Sequence, residues 1–269
     1  MIGLLGVVAG GCDGGGSSSG TPGVTNTAGA TPSSGVTRAP GATASAVASA
    51  TAAPTATAVA PVGPIVLYRG DASRRAIALT FDAGSDAGYT TDILRTLRAE
   101  GIRASFSVTG LWAEANPELL NSIAADGHVL INHSYSHPSF TGRSTGAPPL
   151  TAEERALQLS RVETTVYRLT SRSTRPYFRP PFGDFDASVE ADAAAAGFPV
   201  IVMWTVDTFG WNGATAEQII ERTMALAGPG AIVIMHVGSE SQDAAALPEL
   251  IRRLRAEGYT FVTIDQMLP

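Results

Sequence analysis

The chain has 269 residues, of which 44% are hydrophobic, and its 18 basic against 24 acidic residues give a formal charge of −6. This balance is typical of a globular protein and excludes the strongly basic surface of a nucleic-acid-binding domain. Every basic residue is arginine, which excludes a Schiff-base or phosphate-loop lysine, and the single cysteine, Cys12, excludes an intramolecular disulfide or a cysteine-based zinc site.

The first twelve residues resemble the signal of a bacterial lipoprotein. Residues 1–11 are small and apolar, and they lead directly into Cys12. The resemblance implies that Cys12 is lipidated and anchors the chain to a membrane surface outside the cytoplasm. A signal peptide normally opens with basic residues, which Met1 and Ile2 do not supply, so we expect the natural start to lie upstream. The alternative is a short apolar tail with an incidental cysteine.

Residues 13–63 are predicted to form a disordered linker. Gly, Ser, Thr, Ala and Pro dominate this stretch, and Asp13 and Arg38 are its only charged residues. Such a composition cannot bury enough apolar surface to offset the entropy lost on ordering the chain. The two charges cancel, so residues 64–269 carry the whole net charge, and they are long enough for one sizeable core.

Within residues 64–269, short apolar runs alternate with amphipathic helical patterns. Strands are predicted at 76–81, 104–108, 128–131, 177–178, 199–204, 231–235 and 260–262. Helices are predicted between them at 90–100, 117–126, 151–170, 187–196, 215–227 and 247–257. Alternation of this kind predicts repeated βα units around a parallel sheet. Seven strands favour a barrel with one unit fewer than the common eight, and an open doubly wound sheet is the alternative.

Ionisable residues follow several predicted strands at their carboxyl ends, where both architectures place their chemistry. Three of the four histidines fall on this rim, while the fourth, His128, begins its strand and is predicted to be structural. We therefore expect the rim residues to share one site. They are Asp82, His133, His137, Arg179, Asp207 and His236.

His133 and His137 lie four residues apart directly after the third predicted strand. If this loop turns helically, both imidazoles point the same way. Such a pair commonly coordinates a divalent metal. A carboxylate ligand and coordination positions open to water would make the site catalytic. The alternative is two loop histidines bonded to the backbone. Asp82 on the same rim favours the metal.

Five segments of the chain follow one another in a recognisable order. They are Thr80-Phe81-Asp82-Ala83-Gly84, His133-Ser134-Tyr135-Ser136-His137, Arg179-Pro180-Pro181-Phe182, Asp207 to Trp211, and Val233-Ile234-Met235-His236. This series resembles the successive motifs of the polysaccharide deacetylases, the NodB homology domain of carbohydrate esterase family 4. The resemblance implies a distorted (β/α)7 barrel, in agreement with the seven predicted strands. It also implies metal-dependent hydrolysis of N-acetyl groups on an extracytoplasmic polysaccharide, such as peptidoglycan or a chitin-like glycan.

The resemblance assigns the reacting groups by position. Asp82 would be the general base that takes a proton from the metal-activated water, with Arg179 orienting and tuning it. His133 and His137 would hold the metal, for which zinc is expected and cobalt or nickel are alternatives. His236 would be the general acid, which an amide needs because an unprotonated amine is a poor leaving group.

Other positions would support these groups. Asp207 resembles the partner that fixes them, by pairing with Arg179 or His236. Pro181, Phe182 and Trp211 would wall the pocket for the acetyl group and the sugar.

Two positions depart from the family pattern. Ala83 stands where a metal-binding aspartate is usual, and a methyl group cannot bind a cation. Either the two histidines and water hold the metal, or Asp86 in the following glycine-rich loop supplies the missing oxygen. The alternative for Asp86 is an ordinary aspartate in a turn. Gly210 stands where the fourth motif often has an acidic residue.

Three functions remain open at this point. The first is an N-deacetylase that acts on an N-acetylated glycan as a monomer. The second is a glycan-binding protein in which the loss of the aspartate at position 83 has abolished turnover; the presence of Asp82, Arg179 and His236 argues against it, since a binder needs no acid and base. The third is an O-acetyl esterase that uses the same residues.

Overall fold

The structure is a computed structural model that describes residues 63–268, so the predicted signal segment and almost all of the predicted linker lie outside the described residues. The described part contains nine strands: β1 Ile65–Leu67, β2 Ala76–Ala83, β3 Ser105–Val108, β4 Val129–Asn132, β5 Tyr177–Phe178, β6 Val200–Val202, β7 Val206–Asp207, β8 Ile232–His236 and β9 Thr260–Val262. It also contains seven α-helices: α1 Thr90–Ala99, α2 Gly110–Ala115, α3 Pro117–Ala125, α4 Ala152–Thr170, α5 Ala187–Ala195, α6 Ala216–Leu226 and α7 Asp243–Ala256. Among these helices, none is long and apolar enough to cross a membrane.

The strands form one sheet in the order β1-β6-β5-β4-β3-β2-β8-β7, with β9 also beside β2. Every pair of neighbouring strands is parallel. β6 lies next to one end of this order and β7 forms the other end, yet only three residues separate them in the chain. The backbone from Val200 to Asp207 therefore links the two ends and curls the sheet. The predicted distorted (β/α)7 barrel is confirmed.

All seven predicted strands and all six predicted helices are present, with ends that differ by a few residues. The sequence analysis missed β1 and β7, which have three and two residues. It also missed α2, a helix of six residues that begins after Thr109, whose hydroxyl accepts the N–H of Trp112. The last helix begins at Asp243 rather than at 247, and Pro248 lies inside it.

The central strand β2 shows how the sheet positions the site. All eight of its residues are buried, and successive side chains point to opposite faces. Ile77, Leu79 and Phe81 pack in the apolar cluster between the sheet and the helices, and burial of each such side chain contributes roughly 1.5–3 kcal/mol. The alternate positions face the barrel interior, where Thr80 and Asp82 lie toward the carboxyl end of the strand.

Candidate active site

A cavity of about 540 Å³ opens at the carboxyl ends of the strands. Seven of the ten predicted site residues line it, and Arg179 lies buried beneath it. Pro181 and Asp86 are not among the lining residues. The residues that line the cavity are Asp82, Gly84, Ser85, His133, His137, Pro180, Phe182, Gly183, Trp204, Asp207, Trp211, Ile234, His236, Gly238 and Glu240.

Asp82 and Arg179 form a buried ion pair at the floor of this cavity. The Arg179 guanidinium donates to Oδ1 of Asp82 at 2.6 Å, to Oγ1 of Thr80 at 2.9 Å and to the Val202 carbonyl at 3.2 Å. Burial alone would raise the pKa of Asp82, but Arg179, followed by His133 and other neighbours, outweighs it and holds this pKa below its ordinary value. Asp82 is therefore a carboxylate near neutral pH, with Oδ1 bound to Arg179.

His133 faces the other oxygen of the same carboxylate. Its Nδ1 donates to the Arg179 carbonyl at 2.8 Å, so Nε2 carries the lone pair, and Nε2 lies 3.4 Å from Oδ2 of Asp82. Burial, against the opposing Asp82 carboxylate, lowers the pKa of His133, so the ring is neutral. Two hydrogen-bond acceptors that face each other at this distance repel unless a cation lies beside them. This arrangement of a backbone-oriented histidine fits a metal ligand.

His137 completes the histidine pair through a loop that is not helical. Ser134 and His137 have positive φ angles of 63° and 60°, in the left-handed region where side chains other than glycine are strained. Gln158 on α4 holds the loop by accepting the N–H groups of Tyr135 and Ser136. The two imidazole rings meet edge to face with their centroids 4.8 Å apart. The predicted approach of the rings is thus found, although the predicted helical turn is not.

The residues present fit an ion held by two imidazoles and do not fit the three-residue ligand set of the family. Within residues 63–268, no group of three or more His, Cys, Asp or Glu side chains is placed to hold a metal. Ala83 packs in the apolar cluster between the sheet and the helices. The predicted ligand Asp86 is directed elsewhere, because both of its oxygens accept hydrogen bonds from the backbone N–H and hydroxyl of Ser239. In these contacts Asp86 ties the loop after β2 to the loop after β8, so they favour the alternative of an aspartate in a turn.

His236 stands at the end of β8, which neighbours β2, and its Cα is in register with that of Asp82. The sheet therefore places His236 directly beside Asp82. A carboxylate that the sequence analysis missed lies beneath it. Oδ2 of Asp243 accepts the His236 backbone N–H at 2.8 Å and lies 4.0 Å from Nδ1 of the ring.

Comparison with known proteins identifies the family of the chain. The profile described as polysaccharide deacetylase matches residues 69–201. The peptidoglycan-N-acetylmuramic acid deacetylase of Bacillus subtilis is 32% identical over 204 residues, which are 75% of this chain and 74% of that protein. The peptidoglycan-N-acetylglucosamine deacetylase of Bacillus cereus is 32% identical over 203 residues, which are 74% of this chain and 70% of that protein. The chain belongs to the polysaccharide deacetylase family.

A solved structure gives the same family and fold. The crystal structure of a carbohydrate esterase family 4 pseudoenzyme from Bacillus anthracis is similar with a TM-score of 0.70 and 29% identity, over 77% of this chain and 70% of that chain. The relatives named as peptidoglycan deacetylases support polysaccharide N-deacetylase activity for this family member. Deacetylases of this family generally use a divalent metal.

Within residues 63–268, the Asp207 carboxylate does not pair with Arg179 or with His236. Its carboxylate instead accepts the Trp211 indole N–H at 3.2 and 3.3 Å and the Phe209 backbone N–H at 2.8 Å. The predicted pairing is therefore corrected: Asp207 orients Trp211, which is half exposed in the cavity wall. Phe209 has a positive φ of 58°, so this turn is locally strained.

The wall of the deacetylase cavity differs in part from the prediction. Phe182 lines it and packs edge to face on His137, with centroids 4.6 Å apart. Pro181 is buried, and its neighbour Pro180 lines the cavity in its place. Trp204, which the sequence analysis missed, also lines the wall. Trp112 is buried in α2 and donates its indole N–H to the Asp86 carbonyl.

Proposed function

We propose that this protein removes N-acetyl groups from an amino-sugar polymer outside the cytoplasm, peptidoglycan or a chitin-like glycan, and releases acetate. The observation that carries the proposal is the placement of a proton acceptor, Asp82, and a proton donor, His236, in register on neighbouring strands at the floor of one cavity. Amide hydrolysis needs both groups, since water must lose a proton and the leaving amine must gain one.

Asp82 is suited to accept the proton of the attacking water. Arg179 neutralises Oδ1 and holds the carboxylate in place, while Oδ2 remains on the His133 side of the cavity. Because the Arg179 guanidinium has three acceptors in fixed positions, the carboxylate is oriented before the substrate binds. The buried guanidinium therefore supports catalysis by orienting Asp82 and does not touch the substrate itself.

His133 and His137 would hold a divalent ion, with zinc the expected ion and cobalt or nickel the alternatives. When bound, such an ion supplies Lewis-acid polarisation of the acetyl carbonyl and makes a nearby water more acidic. The His133 ring is oriented for this by the Arg179 carbonyl, and the His137 ring is oriented by its strained loop and by Phe182. Water or substrate oxygens would occupy the remaining ligand positions.

The polymer and the location are supported by the relatives and by the N-terminal sequence. The two Bacillus relatives are named as peptidoglycan deacetylases, one for N-acetylmuramic acid and one for N-acetylglucosamine. Exposed aromatic side chains at Phe182 and Trp211 offer apolar faces for sugar rings. Lipidation of Cys12 would tether the domain to the membrane surface beside such a polymer. We expect the protein to act as a monomer.

One observation favours a second candidate, a protein that binds glycan without turnover. Ala83 removes the usual third metal ligand, and the family includes a pseudoenzyme of similar structure. Against this candidate stand the complete Asp82–Arg179 pair and His236, since binding alone requires no paired proton acceptor and donor. An O-acetyl esterase would use the same residues on an easier leaving group, and a direct assay separates it from an N-deacetylase.

The test measures acetate release by the full chain from peptidoglycan, chitooligosaccharides and O-acetylated glycan. The protein is stripped of metal and then restored with zinc, cobalt or nickel. We expect metal-dependent release from an N-acetylated polymer, and at least a hundredfold loss in His133→Ala. His128→Asn is the matched control, because it alters a histidine away from the cavity. Binding of glycan without acetate release would favour the second candidate.

A further inference from the structure

We propose that Asp243 is the positioning residue that aligns His236 as the proton donor, a proposal that rests on the proposed function. Asp243 is the first residue of α7 and is completely buried, seven residues after His236 in the chain. The sequence resemblance placed this supporting role on Asp207, but the contacts of Asp207 lie with Trp211 and Phe209.

Contacts of the carboxylate place it directly beneath the histidine. Oδ2 accepts the His236 backbone N–H at 2.8 Å and the Ser241 hydroxyl at 2.8 Å, so the aspartate is fixed to the end of β8. The same oxygen lies 4.0 Å from Nδ1 of the His236 ring. That nitrogen is buried and has no hydrogen-bond partner among residues 63–268. A small rotation of the ring or of the carboxylate converts this approach into a hydrogen bond.

The neighbouring loop leaves room for this carboxylate. Gly210 passes so close that a Cβ built there would lie 2.6 Å from Oδ2 of Asp243 and 2.4 Å from the Ser241 hydroxyl oxygen. Real Cβ atoms essentially never approach other atoms this closely, so any larger residue would displace the aspartate. The close approach of this backbone explains why glycine stands at position 210. It also leaves the Asp243 carboxylate enclosed beneath His236.

The chemistry of the two groups explains why they are placed together. With Nδ1 buried over Asp243, Nε2 is the ring nitrogen left for the cavity. In the reaction, Nε2–H gives its proton to the amine nitrogen as the C–N bond breaks, and the ring becomes neutral while acetate and a free amine form. A buried carboxylate beside Nδ1 holds the ring with Nε2 directed at the cavity. Burial also raises the pKa of Asp243, against hydrogen bonds from Ser241 and the His236 backbone.

The test compares leaving groups that do and do not require a proton. In Asp243→Asn, we expect the kcat for acetate release from chitooligosaccharide to fall roughly 10- to 100-fold with little change in KM, a part of the 10²- to 10⁴-fold typical of general-acid catalysis. Hydrolysis of 4-nitrophenyl acetate, whose leaving group needs no proton, should change by less than about threefold under the same argument. Gly210→Ala, which displaces the carboxylate without removing it, should give the same pattern.

Glu163→Gln is the matched control, because it removes another buried, hydrogen-bonded carboxylate whose partners, Ser173 and Thr174, do not line the cavity. It should leave both rates close to the wild type. An equal loss for both substrates in Asp243→Asn would overturn the proposal and assign Asp243 a purely structural role. Unchanged rates for both substrates would also overturn it.

A second readout does not depend on activity. In ¹⁵N NMR of histidine-labelled protein, with His236→Asn used to assign the signal, we expect wild-type His236 to carry its proton on Nδ1 in the neutral ring. In Asp243→Asn this preference should weaken toward a mixture of tautomers. The same tautomer in both proteins would overturn the proposal even if the wild type released no acetate, whereas an inactive wild type with the expected tautomer change would overturn only the proposed function.

Discussion

Asp82 on β2 and His236 on β8 are paired in register across two neighbouring parallel strands, so their Cα atoms lie side by side at the rim of the barrel. The regular spacing of a parallel ladder thus sets the distance between the two residues that we propose as proton acceptor and proton donor. Residues on a sheet are held more rigidly than residues on loops. The loop that carries His133 and His137, in contrast, depends on two residues with positive φ and on its contacts with α4.

The buried ion pair predicts a large loss of stability when one partner is removed. Arg179→Met leaves the Asp82 carboxylate buried without its cation, and we expect a loss of about 3–5 kcal/mol in the free energy of unfolding. Urea unfolding of the variant measures this loss, and Asp82→Asn combined with Arg179→Met should recover part of it. Arg155→Met, at an ion pair whose Asp192 is partly exposed, is the control and should lose less. A loss in Arg179→Met no larger than in the control would contradict the account.

His128 predicts a specific loss of stability in acid. Burial lowers the pKa of His128 from 6.5 to about 4. Between these values the unfolded chain binds a proton that the folded chain does not, so stability present above pH 6.5 is lost as the pH falls toward 4. His128→Asn cannot titrate, and its amide oxygen can still accept the Ala104 N–H that Nδ1 accepts at 3.0 Å.

The measurement is urea unfolding of the wild type and of His128→Asn at about pH 7.5 and about pH 4.5. The wild type should lose about 2 kcal/mol more than the variant between the two conditions, as linkage at a pKa depressed by this amount requires. Equal losses in the two proteins would show that His128 is protonated in the folded state and would refute this prediction.

The elements of the fold differ in how far the sequence alone predicts them. β2 and α4 were predicted because eight and nineteen residues are enough to show alternation or helical periodicity and a capping box. β7 was missed because its pairing with β8 depends on contacts between segments distant in sequence.

The site shows the same division. Asp82, the histidines and Arg179 follow strands, so the barrel geometry gathers them and the sequence analysis found them. Asp243 was missed because it meets His236 through the start of a helix that was predicted to begin later. Its signal was the run Ser241-Gln242-Asp243 before the apolar-periodic segment, which is typical of a helix N-terminus. The contacts of Asp86 and Asp207 had no sequence signal, because each depends on the conformation of a glycine-containing loop.

The loop contacts of Asp86 predict that it contributes little to metal binding. Competition with a chromogenic chelator should show that Asp86→Ala changes the affinity for zinc by less than about threefold, whereas His133→Ala loses more than the roughly 10- to 100-fold typical of residues that support a ligand. The Asp86 variant should lose about 1 kcal/mol of stability from its hydrogen bonds with Ser239. Equal losses of affinity in both variants would restore Asp86 as a ligand.

Asp207 predicts an effect on substrate binding that spares the chemical step. Asp207→Ala frees the Trp211 indole, so we expect KM for a chitooligosaccharide to rise several-fold while kcat stays near the wild-type value. Trp211→Phe should reproduce the rise in KM, because it removes the indole N–H that donates to the Asp207 carboxylate. A large fall in kcat with unchanged KM would mean that Asp207 acts on the reacting groups after all.

The central claim is that Asp82 and His236 together hydrolyse an N-acetyl group. Its most direct test is the rate of acetate release from an N-acetylated glycan by the metal-loaded full chain, by Asp82→Asn and by His236→Asn. The account predicts measurable release by the wild type and a fall of about 10²-fold or more in each variant. Release that persists unchanged in either variant, or no release by the wild type from any N-acetylated polymer with any of the three metals, would contradict it.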